Sequence, residues 1–138
     1  MNRENLKEIY KKYSLEKDDI FILKFGSKEK PIITRSGIQK IQNKLGAQVN
    51  FKLEKISDDC RYAVVLATGV LFDGNENNPQ PRPKIMIQSF GEASPKNCSN
   101  PYPVAMAEKR ALARTILKLA NLHGFYSEDE AEEFKNEK

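Results

Sequence analysis

An α+β fold is what this chain predicts. Its core is a three-stranded antiparallel β-meander followed by a long C-terminal helix (β-β-β-α), with an N-terminal helix, a short hairpin and a middle helix ahead of it. Three observations carry that expectation. Residues 48–90 hold strand-like runs divided by turn signals, residues 103–122 are rich in helix formers, and the stretch before them switches between the two periodicities.

The elements follow in order. Leu6, Ile9, Tyr10 and Tyr13 recur at helical spacing and predict a short amphipathic helix over residues 3–13. Asp19 to Phe25 reads as a strand, Gly26-Ser27 begins a turn, and Pro31 to Ile33 form a short returning strand. In TRSGIQKIQNKLG, Thr34 or Ser36 caps a helix that buries Ile38, Ile41 and Leu45, and Gly46 ends it. Gln48 to Ile56 alternates, with Val49, Phe51, Leu53 and Ile56 toward one side. Arg61 to Phe72 is a longer, more buried strand in which Gly69 marks a bulge or a close approach. Residues 73–83, with Pro79, Pro81 and Pro83, predict a long irregular loop. Lys84 to Phe90 is the third strand, turning Ile85, Ile87 and Ser89 one way. Pro103 then opens the long helix and Gly124 is its expected left-handed stop. One sheet face is expected to pack on helices, leaving the other available.

Length and composition bound the class. With 138 residues, 39% hydrophobic and 30% charged, the chain is expected to form one domain with its own core. The most apolar run, Ala63 to Phe72, is too short to span a bilayer. The N-terminus lacks the apolar centre of a signal peptide, so a cytoplasmic protein without membrane association is expected. Cys60 and Cys98 show no metal-binding spacing, His123 cannot complete a zinc site with them, and both are expected to be plain thiols.

The net charge of +4 is unevenly spread. Residues 127–138 hold six acids and two lysines, a net of −4, leaving 21 basic and 13 acidic residues, a net of +8, in residues 1–126. The expected organisation is thus a basic domain over 1–126 and an acidic tail over 127–138, a pattern seen in nucleic-acid binders. The tail is expected to compete for the basic surface, to cap the last helix, or to aid solubility.

Catalysis finds little support. The only histidine sits at a helix end, carboxylates do not cluster on strands, and GEASPKN lacks the spacing of a phosphate-cradling loop. No catalytic residue, metal or cofactor is assigned. Cations fare better, because phosphates demand Lys and Arg in rows. Arg110, Arg114 and Lys118 share one face of the long helix at four-residue spacing, opposite an apolar arc with Leu112, Ile116 and Leu119. Lys40 and Lys44 form a similar pair on the solvent side of the middle helix, and Lys52 lies with Lys55 or Arg61 on the sheet. With Arg35 and Lys109 added, the candidate nucleic-acid-binding set is Arg35, Lys40, Lys44, Lys52, Arg61, Lys109, Arg110, Arg114 and Lys118. A solvated helix face would carry the same stripe of charge.

The stretch from ITRSGIQKIQ through SFGEAS to YPVAMAEKRALARTILKLANLHGFYSEDEAEEF resembles small phage and mobile-element proteins related to single-strand annealing recombinases, over residues 32–134. In that group three antiparallel strands precede an Ala/Arg-rich helix. Its helix pattern is matched here by Ala107, Glu108, Lys109, Arg110, Ala111, Arg114, Ile116, Leu117 and Lys118, and its ending by Tyr126 to Glu130. The resemblance implies a homo-oligomer, ring or filament, with single-stranded DNA in a basic groove across subunits and annealing without ATP. It also implies that Arg110 and Arg114 face DNA or a neighbouring subunit. Two rivals stand beside it. The α-β-β-β-α order with a basic final helix is also that of double-stranded-RNA-binding modules, although Pro103 to Ala107 carries no base. The other rival is a phage-encoded interaction factor that inhibits a host system and uses its charge only for solubility.

Overall fold

The computed structural model describes residues 3–75, 78–98 and 101–135. Helix α1 (Arg3–Lys12) and a 3-10 turn at Lys17–Asp19 lead into β1 (Ile20–Phe25) and β2 (Lys28–Ile33). Helix α2 (Arg35–Leu45) is followed by β3 (Gln48–Ile56), β4 (Ala63–Asn75) and β5 (Asn78–Ala93). Helix α3 (Pro103–Leu119), the short β6 (Tyr126–Ser127) and α4 (Glu128–Lys135) complete the described chain. The class is α+β, with the strands divided between two sheets of order β1-β2-β6 and β3-β4-β5.

Local chemistry explains the helix ends. Thr34 caps α2, its hydroxyl accepting from the Gly37 N–H at 3.2 Å. The helices α1, α2 and α3 stop alike: Ser14, Gly46 and Asn121 take left-handed φ values of 55°, 65° and 57°. The next N–H, of Leu15, Ala47 or Leu122, reaches back to the carbonyl five residues earlier. The expected stop at Gly124 is corrected by this geometry. Asn121 tolerates the left-handed conformation, its side chain meets His123 Nε2 at 2.7 Å, and the early stop lets Leu122 and Phe125 pack on the core.

Two clusters meet along α3. Its first half, through Met106, Ala107 and Ala111, packs on Ala63, Val65, Ala67 and Ala93 of the β3-β4-β5 sheet. Its second half, through Ala113, Ile116, Leu117 and Leu119, joins Ile9 of α1, Tyr13 just after it, Ile20, Ile33, and Ile38 and Ile41 of α2. The sheet comes very close. A Cβ on Gly91 would lie 2.0 Å from the Ala107 carbonyl oxygen, and one on Gly69 would lie 2.5 Å from Thr115 Cγ2. Gly69 therefore marks a close approach.

Strand β3 departs from expectation. Phe51, Leu53 and Ile56 do pair with Ala67, Val65 and Ala63 on the helix side, yet they stay 40–49% exposed. The reason is that α3 lies over β4 and β5 and barely reaches β3. The predicted loop at 73–83 is also corrected, since β4 runs to Asn75 and β5 starts at Asn78, while residues 76–77 lie outside the described residues. The prolines fit because β5 is an edge strand and alternate residues turn their missing N–H to one side.

The acidic end is folded onto the body up to Lys135. Strand β6 pairs in parallel with β2, Ile32 against Tyr126 and Ile33 against Ser127, and Ala131 of α4 is buried on Ile32. Residues 136–138 of the expected tail lie outside the described residues.

Candidate nucleic-acid interface

The row at 110, 114 and 118 does not share one environment. Arg110 is only 2% exposed. Its Nη1 donates to the Glu92 carbonyl at 2.9 Å, its Nε to the Asp129 carbonyl at 3.1 Å, and its Nη2 to the Asn97 carbonyl. Arg114 donates to the Phe90 carbonyl at 2.8 Å and to both carboxylate oxygens of Glu92 at 3.0 and 3.1 Å, and its Nε meets Glu130. Burial works against the Arg114 charge, but the Glu92 and Glu130 carboxylates more than offset it and raise its pKa. Lys118, one turn further, is exposed.

Phe90 and Glu92 are alternate residues of edge strand β5, and both turn a carbonyl outward, away from β4. An edge of this kind leaves backbone groups without strand partners. Arg110 and Arg114 close it from one side while α4 closes over them from the other. The expectation that Arg110 faces DNA or a neighbouring subunit is therefore corrected: a guanidinium spent on three internal carbonyls is not offered to phosphate.

Other candidates are engaged as well. Lys40 does not point to solvent as a pair with Lys44; its Nζ lies 2.6 Å from Asp19 Oδ2. Asp19, 3% exposed, also accepts from Ser36 Oγ and from the Glu16 N–H at 2.7 Å. Burial alone would push the Asp19 carboxyl up, but Lys40, Ser36 and the Glu16 N–H together hold it below the usual carboxylate range. Arg35 binds Asp129 Oδ1 through Nε and Nη2 at 2.9 and 2.7 Å, and its backbone N–H donates to Glu128 at 2.6 Å. Thus α4 occupies Arg35 and Arg114 at once.

The remaining cations fall in separate places. Lys109 sits beside Arg35 and Gln39 at a cleft between α2 and α3. Lys118 borders a second cleft with His123 and Phe125. Arg61 lies in the turn after β3, near Cys60 and Cys98, and Lys44 is exposed near the end of α2. No single groove gathers all nine predicted residues.

Lys52 does sit on an uncovered surface. Register places it opposite Leu66, and Leu66 opposite Phe90, on the sheet face that α3 does not cover. Parallel rows on that face are Asn50–Thr68–Gln88, Gln48–Val70–Met86 and Lys55–Val64–Glu92. Phe90 and Met86 are 55% and 61% exposed. The Lys52 side chain is 76% exposed, with Nζ 3.5 Å from Glu54. The sequence offers Phe90 as one of several aromatics able to stack on bases, most of them expected in the core, and gives Met86 and Gln88 no role. The signal was there: alternation that turns Ile85, Ile87 and Ser89 inward must turn these three outward.

Among the described residues, no group of three or more His, Cys, Asp and Glu side chains is disposed to hold a metal, and no helix is long and apolar enough to cross a membrane. Comparison with family models, curated proteins and solved structures finds no match for this chain.

Proposed function

We propose that this protein binds single-stranded DNA through its phosphate backbone and anneals complementary strands without ATP, as a homo-oligomer. The observation that carries the proposal is the uncovered face of β3-β4-β5, where Lys52 and Lys55 stand exposed beside an apolar floor. Backbone contacts of this kind are independent of sequence and weaken steeply with salt. The resemblance of the AEKRALARTILK helix and YSEDE ending to phage-type annealing proteins supports the annealing part. The succession of β3, β4, β5 and α3 has the order that a β-β-β-α core would need, which supports the reading. Support for self-association comes from Phe51, Leu53 and Ile56, an exposed apolar stripe on an open edge strand.

Titrating labelled single-stranded DNA, a DNA duplex and an RNA duplex at several salt concentrations tests the proposal. Single-strand preference, a steep salt slope and strand annealing without nucleotide are expected, with rings or filaments in electron micrographs. The α2-β3-β4-β5-α3 order, with both helices on one side of the sheet, favours an RNA-duplex module as the second reading. Preference for the RNA duplex would select it. Failure to bind any of the three at low salt would overturn both.

A further inference from the structure

We infer that the open face of β3-β4-β5 is a base-stacking platform, on which nucleobases of a single strand lie against Phe90 while its phosphates run along Lys52 and Lys55. The inference rests on the nucleic-acid binding proposed above and assigns it a place and a division of labour. Lys52, Leu66 and Phe90 form one row across three strands, so charge and ring are separated by two strand spacings, roughly 10 Å. Leu66 lies between them as an apolar floor. The neighbouring row ends in Gln88, whose Nε2 donates to Thr68 Oγ1 at 3.0 Å, and the next ends in Met86.

Three features favour this occupant. A single strand needs cations for its backbone and flat apolar surface for its bases, and the face supplies both on opposite sides of one row. Glu92, the acid on the β5 side of this face, is held by Arg114 at 3.0 and 3.1 Å, so its charge is balanced beside the bases; on β3, Glu54 lies 3.5 Å from Lys52 Nζ. The Phe90 carbonyl is already taken by Arg114, so an added β-strand cannot pair with that position of the β5 edge. Exposure of the Phe90 ring is therefore not explained by sheet continuation into a second copy.

Two probes of equal length and charge separate the platform from backbone binding: an oligothymidylate and an abasic phosphodiester. Phe90→Ala is expected to weaken oligothymidylate binding about fivefold or more, while leaving abasic binding and the salt slope unchanged. Phe90→Tyr, which keeps the ring, is expected to retain most of the affinity. The Lys52→Gln, Lys55→Gln double variant is expected to weaken both probes. If Phe90→Ala matches the parent on both probes, the platform is overturned and the nucleic-acid proposal stands. If neither probe binds the parent protein, both fall. If Phe90→Ala alters only self-association in sedimentation, the face is a contact between copies and the inference is overturned.

Discussion

Arg110 Nη1 lies 2.9 Å from the carbonyl oxygen of Glu92, on the outer edge of β5. A residue that sequence spacing places in a cationic row is thus a device for closing a sheet edge. Arg114 repeats the arrangement one turn later at the Phe90 carbonyl. Both arginines act mainly inside the fold, and their substitution should be read first as a question of stability.

Arg110→Met should destabilise the protein by about 3 kcal/mol, since three carbonyls, that of Asp129 buried, lose their donor together. Arg110→Lys should recover less than half of the loss, because one ammonium cannot reproduce the planar fork. Urea denaturation measures both. A folded variant of unchanged stability with reduced DNA affinity would restore the DNA-facing role that burial argues against.

Gly91→Ala should destabilise by about 3 kcal/mol, because the new methyl would sit on the backbone of α3, 2.0 Å from the Ala107 oxygen and 2.4 Å from the Ala111 nitrogen. Gly69→Ala meets the side-chain ends of Thr115 and Leu119 instead, and should lose only about 1 kcal/mol. Thermal midpoints of the two variants should therefore differ clearly. Equal midpoints would contradict the packing described.

Acid sensitivity should centre on Asp19. Its carboxyl is held below the usual range in the folded protein, so its contribution is present above the unfolded value of about 3.9 and is lost as pH falls through the lower folded value. The urea midpoint of the parent protein should therefore drop on acidification below about pH 4. Asp19→Asn should start lower and lose less over the same window. Parallel curves for the two proteins would remove Asp19 from the account.

Lys52→Gln together with Lys55→Gln should lower the dependence of log affinity on log salt by about 1.4, at roughly 0.7 per phosphate contact on a single strand. Both side chains are exposed on the open face, so stability should change little. An unchanged slope would move the phosphate path elsewhere, with Lys44, Lys109 and Lys118 next to be tested.

Much of the architecture was legible in residue order. Helical spacing of Ile38 and Ile41, alternation through β3, Thr34 as a cap and Gly46 as a stop all act within a few residues, where propensity and hydrogen bonding are local. Elements fail to be legible where a distant group intervenes. Asn121 replaced Gly124 as the stop because Leu122 and Phe125 had a core to join. Pro79, Pro81 and Pro83 read as a loop because nothing local reveals that β5 is an edge.

The sequence by itself determined an α+β chain with a long helix behind a three-strand run, a basic body and an acidic end. Tertiary structure alone decided which charges remain available. Arg35 meets Asp129 across 94 positions, and Arg114 meets Glu92 and Glu130 across 22 and 16. Periodicity assigns a side chain to a face of its own helix, but what that face meets depends on elements folding back from elsewhere. For Arg110, Arg114 and Lys118 that difference separates a buried edge closure, a half-buried ion pair and an exposed lysine.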